Sequence, residues 1–391
     1  MRPRLHIEEG EEGQMTLIRT ATICTLACLV SWGGAFAQGV TKTTVLIGQS
    51  SPFSGSNKEL GDDIREGILA YFKQVNEAGG VHGRTLELIA LDDGNDAKRS
   101  GDNARILIEQ RGVLALIGYA SATLSLPALP YVEKGKVAFV GPFTGAEPMR
   151  VFRRNVYNIR ASYADELEKI VDFYTTTGMK KFSIIHYDDA VGKENLAAVE
   201  TALTRRGLKP TSVGTLKRNQ TDLGAAVAEV VKAAPDVVIA TTLYKTTGDF
   251  IKGARKAGSN AQFASTSFVG ASALATELGD QGTGVVVAQV VPPYSRASVA
   301  IVREYQAAIE KSLGKKDFSF TSLESYIGAK VLVEAIRRAG ANPTRESVMK
   351  ALDSMQQFNV GGYVVDFSST NHNGSKFVEL TAISKAGRFA Y

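Results

Sequence analysis

Short apolar runs alternate with amphipathic stretches along almost the whole chain. The runs at residues 45–48, 86–91, 113–117 and 137–140 are rich in Val, Ile, Leu and Ala. Such runs are typical of strands buried on both faces of a parallel sheet. Residues 62–77 instead place apolar side chains three and four positions apart, which predicts an amphipathic helix. The alternation predicts an α/β fold of doubly wound parallel sheets with right-handed crossovers.

The same alternation begins again after residue 163, which predicts a second lobe built on the same plan. Ser162 and Asp165 have the spacing of a capping box at the start of a helix. The tail after residue 360 alternates differently. Short strand-like runs around an Asn-Gly pair at residues 373–374 predict an antiparallel arrangement with a tight turn.

Two neighbouring strands each end in a small, polar turn, at residues 118–123 and 141–146. Hydroxyl and backbone groups in such turns either cap the next helix or leave N–H groups free for an anionic ligand. The carboxyl ends of adjacent parallel strands also form the crevice in which open α/β sheets bind ligands. Two interpretations therefore stay open for Ser121, Thr123 and Thr144: helix caps, or one wall of a binding site.

The N-terminus has the features of an export signal. A short apolar run at residues 21–30 is preceded by Arg19 and followed by an Ala-Phe-Ala sequence that ends at Ala37. The run is too short to span a bilayer, and the small residues favour cleavage after Ala37. Residues 1–37 are therefore predicted to be a leader, and the mature protein is expected in the periplasm. Because four glutamates precede Met15, translation is expected to begin at that methionine.

Composition narrows the classes of function. Both cysteines, Cys24 and Cys28, lie in the predicted leader, so the exported chain is expected to have neither a disulfide nor a thiolate site. The leader removes three of the 45 basic and four of the 40 acidic residues, which leaves a formal charge of +6. These charges are dispersed, so they indicate neither a nucleic-acid surface nor a membrane surface.

Motifs of phosphate loops, zinc proteases and nucleophile elbows are absent from the sequence. His82, His186 and His372 lie in unrelated settings without a second histidine at metal-ligand spacing. The acid pairs at residues 92–93 and 188–189 either cap loops and helices, serve acid/base chemistry or hold a hard cation, and capping is the more common role of adjacent acids at strand ends. We therefore expect no metal, no cofactor and no enzymatic activity.

The turns at residues 118–123 and 141–145 resemble those of a known family. The sequence is similar to type I periplasmic solute-binding proteins of the branched-chain amino-acid (Leu/Ile/Val) receptor family, which serve ABC importers. The similarity covers residues 45–391 and rests on the order and spacing of several further segments. These are residues 47–55 (IGQSSPFSG), 79–84 (GGVHGR), 92–94 (DDG), 157–160 (YNIR) and 188–192 (DDAVG).

This resemblance implies two doubly wound lobes that are joined by three hinge crossings and bind the ligand between them. Lobe 1 is expected to comprise residues 41–161 and 295–357, and lobe 2 residues 162–294 and 358–391. The crossings are expected near residues 161–163, 292–294 and 358–361. The resemblance also implies a monomer that captures a small molecule by lobe closure and delivers it to a membrane ABC permease.

The resemblance also implies ligand-binding residues. Carried over residue by residue, the first-lobe turns supply Ser121, Ala122, Thr123, Phe143, Thr144 and Gly145 to hold a ligand carboxylate. The expected aromatic lining comprises Tyr119, Phe143, Tyr163, Tyr244 and Phe268, with Tyr294 as a further candidate. Arg160 is either a charge partner of the ligand or a residue that packs the lobes together. In amino-acid-binding members an acidic residue after the next second-lobe strand meets the α-ammonium group.

The corresponding stretch here, residues 265–270 (STSFVG), contains no acidic residue. An aromatic or other apolar carboxylate is therefore expected in preference to an α-amino acid. The alternatives are a branched-chain or other amino-acid binding protein, a ligand-sensing partner of a membrane receptor, and an exported α/β enzyme using Asp188, Asp189 or His186.

Overall fold

Two parallel sheets form the framework of the protein. The computed structural model describes residues 38–218, 220–314, 316–385 and 387–391. The predicted leader, with initiation at Met15 and cleavage after Ala37, lies outside these residues. Within the described part of the chain, no helix combines the length and the apolar character needed to cross a membrane.

The first sheet has five strands in the spatial order β2-β1-β3-β4-β5, and all neighbours are parallel. Its strands are β1 (Thr44–Ser51), β2 (Thr85–Asp92), β3 (Ala115–Ile117), β4 (Ala138–Val140) and β5 (Val156–Tyr157). Every residue of β3 and β4 is buried, as expected for strands covered by helices on both faces.

The second sheet has seven strands in the order β14-β13-β10-β9-β8-β6-β7. Strands β6 to β10 are parallel, whereas β13 and β14 join the edge in antiparallel pairs. The strands are β6 (Phe182–Tyr187), β7 (Pro210–Leu216), β8 (Val237–Ala240), β9 (Gln262–Ser265), β10 (Val286–Gln289), β13 (Glu379–Ile383) and β14 (Phe389–Ala390). A separate antiparallel pair consists of β11 (Phe358–Asn359) and β12 (Val364–Val365).

Helices alternate with these strands, and the predicted α/β class of two parallel-sheet lobes is confirmed. In the part up to β5 they are α1 (Lys58–Glu77), α2 (Ala97–Arg105), α3 (Ala122–Ser125), α4 (Leu129–Gly135) and α5 (Glu147–Arg150). Then follow α6 (Tyr163–Thr176), α7 (Ala190–Thr204), α8 (Gly224–Lys232), α9 (Tyr244–Lys256) and α10 (Ala271–Leu278). The last three are α11 (Ala300–Leu313), α12 (Phe320–Arg338) and α13 (Arg345–Asp353). The residue limits of the two lobes stay a prediction.

Helix α1 packs into the core through the apolar face that the sequence predicts. It buries Ile64, Ile68 and Phe72 on one face, as the helical period of the sequence predicts. Gly67 on this helix lies against the backbone of α12, where an added Cβ would be 2.1 Å from the carbonyl oxygen of Ser322. The missing side chain therefore lets the two helices approach closely.

The predicted capping box at the start of α6 is confirmed. The Ser162 hydroxyl accepts a hydrogen bond from the backbone N–H of Asp165 at 3.0 Å, and the Asp165 carboxylate accepts one from the N–H of Ser162 at 3.1 Å. The helix begins at Tyr163, directly after Ser162, because these two side chains satisfy N–H groups at its start.

The prediction of a tight Asn-Gly turn in the tail was wrong. Asn373 instead forms an isolated parallel bridge with Asn158, directly after β5. The N–H of Asn158 donates to the carbonyl oxygen of His372, and the N–H of Gly374 donates to that of Asn158, both at 2.8 Å. The tail therefore finds its backbone partners in a distant segment, which a local turn signal does not reveal.

Substituting Ser162→Ala should lower the free energy of unfolding by about 1 kcal/mol, because the first turn of α6 loses a cap. Urea denaturation followed by circular dichroism measures this change. Ser298→Ala, at an exposed serine outside any cap position, serves as the control and should be neutral. Equal stability of the two variants would contradict the importance of the cap.

Candidate functional site

Residues at the carboxyl ends of the strands in the two sheets contact one another and form a cleft. Arg218, which follows β7, donates from Nη2 to Thr123 Oγ1 at 3.3 Å. The N–H of Glu147 donates to Glu194 Oε1 at 2.7 Å. The Tyr244 hydroxyl, at the start of α9, donates to a carboxylate oxygen on α1. Carboxyl ends of parallel strands are the usual ligand-binding edge of open α/β sheets.

A cavity of about 550 Å³ lies at the opposite, amino-terminal end of the second sheet, whereas one of about 270 Å³ lies in the cleft. The cleft cavity is the relevant one because residues associated with both sheets line it. Its walls are Asn57, Asn95, Tyr187, Arg218, Gln220, Thr221, Leu243, Lys245, Thr246 and Asp249. None of the ten residues predicted to bind ligand is in this lining, although Thr123 is bonded to Arg218 and Tyr244 adjoins Leu243.

Both first-lobe turns are held by their own hydroxyl groups. Ser121 Oγ accepts from the N–H of Leu124 at 3.2 Å and caps α3, which begins at Ala122. Thr144 Oγ1 accepts from the N–H of Ala146 at 3.2 Å. The N–H of Phe143 donates to the carbonyl oxygen of Tyr119 at 2.7 Å, so one turn is tied to the other. Ser121 is therefore a helix cap, whereas Thr144 bonds within its own turn, since the helix α5 has no side-chain cap. Contact of these hydroxyls with a ligand stays a prediction.

The predicted aromatic residues fall into separate groups. The rings of Tyr163 and Phe268 are 5.9 Å apart between centroids and join the start of α6 to the turn after β9. The Tyr119 ring packs against Phe139 at 4.9 Å inside the first sheet's core. Tyr294 packs at 4.9 Å on Phe320 and also contacts Phe389, away from the first-lobe turns.

Arg160 links these aromatic residues to buried acids. Its guanidinium carbon lies 4.9 Å from the centre of the Phe143 ring and 5.6 Å from that of Tyr163. Its Nη2 is 3.2 Å from Glu166 Oε1, and its Nη1 is 3.5 Å from Glu324 Oε1. The Arg160 side chain is completely buried. A buried ion is stable only with well-placed partners, and here they come from α6 and α12.

The turn after β9 is also bound to this cluster. Ser267 donates from its N–H to Glu166 Oε2 at 2.6 Å and from its hydroxyl to Glu166 Oε1 at 2.9 Å. The same hydroxyl lies within hydrogen-bonding distance of Arg160 Nη2. Residues 265–270 contain no acid in sequence, but α6 places the carboxylate of Glu166 against them.

Burial raises the pKa of both acids. It raises the pKa of Glu324 to about 7 despite the attraction of Arg160. Burial likewise raises the pKa of Glu166, against the opposing effects of Arg160 and the Ser267 hydrogen bonds. A second, half-buried cation adjoins the cluster, because Arg150 Nη1 donates to the carbonyl oxygen of Arg160 at 2.9 Å. The cluster therefore holds no surplus of negative charge at neutral pH.

The residues considered for catalysis have structural partners. Asp189 caps α7 through the N–H of Gly192 at 2.8 Å and pairs with Arg218 at 2.7 Å. Asp188 pairs with Lys193, which holds the pKa of this carboxyl below its usual value. His186 contacts the carbonyl oxygen of Tyr187 at 2.8 Å. Among the described residues, no group of three His, Cys, Asp or Glu side chains is arranged to hold a metal ion.

The sequence interpretation missed Arg218, Tyr187 and Glu166. Arg218 and Tyr187 follow or end strands of the second sheet, and the guanidinium lies 4.5 Å from the centre of the tyrosine ring. The strand-end rule that selected the first-lobe turns would have found them if it had been applied to β6 and β7. Glu166 carried no such signal, because it lies within a helix.

Comparison with known proteins assigns this arrangement to a family. A family model described as periplasmic binding protein matches residues 44–388. The chain belongs to this family. It is 26% identical over 351 residues to the Leu/Ile/Val-binding protein homolog 7 of Brucella melitensis, covering 84% of this chain and 86% of the relative.

Two solved structures of this type are also similar. A possible leucine/isoleucine/valine-binding protein from Rhodopirellula baltica has 31% identity and a TM-score of 0.85, with 89% of this chain and 96% of that chain covered. A substrate-binding periplasmic protein from Ralstonia solanacearum has 30% identity and a TM-score of 0.83, with 88% and 99% covered. The predictions of a periplasmic solute-binding protein of ABC transporters, and of a binding protein instead of an enzyme, are thereby confirmed.

Gly145 is the position where the first-lobe turn passes closest to the start of α6. An added Cβ would be 2.6 Å from the backbone nitrogen of Tyr163 and 3.0 Å from the carbonyl oxygen of Ala161. Gly145→Ala should therefore lower the free energy of unfolding by about 1–3 kcal/mol through overpacking. Gly224→Ala, in the exposed first turn of α8, should change it little. Urea titration compares the free energy of unfolding of the two variants. A Gly145→Ala variant as stable as the wild type would contradict this close contact.

Proposed function

We propose that this periplasmic binding protein captures a small carboxylate with an apolar or aromatic body. The observation that carries the proposal is the position of Arg218. Its guanidinium lines the cleft cavity and reaches across to Thr123, in the turn predicted to hold the carboxylate. A guanidinium binds carboxylates through directed, charge-assisted hydrogen bonds. The cavity of about 270 Å³ suits a small ligand.

Three buried aromatic residues favour a ligand with an apolar body. Phe143, Tyr163 and Phe268 are buried beside the hinge segment. Their rings offer a large apolar area at a small entropic cost. Tyr244 is bonded across the cleft to Glu59 and supplies a further ring from the second lobe. These residues would cover the body of the ligand while its carboxylate lies toward Thr123 and Arg218.

The proposed mechanism is closure of the two lobes around the ligand. The contacts that now cross the cleft, such as Arg218 with Thr123 and Glu194 with Glu147, would separate on opening and form again on closure. Closure removes water, and hydrogen bonds to the trapped carboxylate then contribute more than at an open surface. A membrane ABC permease would receive the ligand from a monomer of this chain.

A branched-chain amino acid is the second candidate ligand. The names of the relatives from Brucella melitensis and Rhodopirellula baltica favour it. The charge balance around residues 265–270 favours a ligand without an ammonium group, because Arg160 already pairs with Glu166. Both candidates are carboxylates, so they share the predicted carboxylate site and differ at the α-carbon.

A screen of solutes by thermal unfolding tests the proposal. Aromatic and branched aliphatic acids such as 3-phenylpropanoate and 4-methylpentanoate should raise the melting temperature. At a hundredfold excess over Kd the expected stabilisation is about 2.7 kcal/mol. The acids should be recovered unchanged, since the protein is a binding protein. Stabilisation by leucine or valine but not by the acids would contradict the ligand preference.

Arg218→Met should weaken carboxylate binding about 10- to 100-fold, because a charge-assisted hydrogen bond contributes about 1.5–3 kcal/mol. Isothermal titration calorimetry with the best ligand of the screen measures the loss. Arg205→Met removes a mostly exposed arginine from the same lobe, far along α7 from the cleft, and should leave the affinity unchanged. An unchanged Kd for Arg218→Met would remove Arg218 from the site.

A further inference from the structure

Arg160 is the buried cation that the two acids beside the aromatic rings require. Glu166 and Glu324 are nearly or completely buried, and both lie within ion-pair distance of this guanidinium. Removing one partner from a buried pair leaves an uncompensated charge, which is strongly destabilising. Arg160 is therefore needed by both acids as long as no other cation takes its role.

The arginine also has two buried nitrogen atoms without a hydrogen-bond acceptor in the described part of the chain. Its Nε and Nη1 have no hydrogen-bond acceptor among the described residues, although Nη1 is in ionic contact with Glu324. Buried donors without acceptors are costly, and an acceptor atom supplied by a ligand would relieve that cost. A ligand group that reached this cluster would therefore be favoured as an acceptor, whereas a cationic group would meet a guanidinium.

We propose that Arg160 is a specificity-determining residue. Its guanidinium occupies the position that a ligand ammonium group would need, between Glu166 and the rings of Phe143 and Tyr163. The inference rests on the proposed function and deepens it. It names the accepted ligands as carboxylates that lack an α-ammonium group. Glu166 is the key partner, because Ser267 orients both of its oxygens toward the segment at residues 265–270.

Two ligand pairs that differ by the ammonium group alone provide the test. They are leucine with 4-methylpentanoate and phenylalanine with 3-phenylpropanoate. Calorimetry should show that the wild-type protein prefers the acid without the amine. Arg160→Met frees Glu166 for a ligand ammonium and should shift the affinity ratio toward the amino acid by about tenfold or more.

Three further variants make the test specific. Glu166→Gln leaves Arg160 with less negative charge, so it should shift the ratio the other way, toward the acid. The double variant Arg160→Met with Glu166→Gln should lose the gain for the amino acid. Arg160→Lys keeps a cation and should retain the wild-type preference. If Arg160→Met shows no cooperative unfolding transition, the opposite shift expected of Glu166→Gln decides the question.

The outcomes separate this inference from the proposed function. A wild-type preference for the acids together with unchanged ratios in Arg160→Met and Glu166→Gln would overturn the role of Arg160 and leave the proposed function intact. A wild-type preference for leucine or phenylalanine would overturn the proposed function and the inference with it. If none of the four compounds binds, the proposed function and the inference are both overturned.

Discussion

The burial of the Arg160 charge is the constraint on which the arrangement of the two lobes depends. This side chain is completely enclosed and has acidic partners on α6 and α12, together with Ser267 after β9. A charge of this kind is tolerated only when its partners are held in place. The chain segments that supply them must therefore stay close to the point where the first sheet ends.

The same cluster sets the chemical character of the buried region between α6, α12 and the turn after β9. Helix capping orders the start of α6, so that Glu166 in its first turn is held next to Ser267. The close contact at Gly145 sets the first-lobe turn against the backbone of Tyr163. Arginine, aromatic rings and neutralised acids then lie together, and this combination favours hydrogen-bond acceptors over cations. Farther out, Arg218 lines the cleft cavity with its guanidinium.

The fold and part of the site follow from local signals in the sequence. The alternation of strands and helices, the capping box at Ser162 and the two polar turns each depend on residues within a few positions of one another. The charge cluster does not, because Ser267 lies 107 positions from Arg160 and 101 from Glu166. A search for an acid within residues 265–270 therefore found none, although the folded chain supplies one from a helix. The Asn-Gly turn failed for the same reason, since Asn373 pairs with a remote segment.

A crystal structure of the protein with 3-phenylpropanoate would test the central claim most directly. The account predicts a carboxylate within hydrogen-bonding distance of Arg218 or the Ser121–Thr123 turn, an aromatic body against the buried rings, and Arg160 still paired with Glu166. A ligand bound outside the cleft would contradict it. So would a structure in which Arg160 has left Glu166 and the ligand occupies its position.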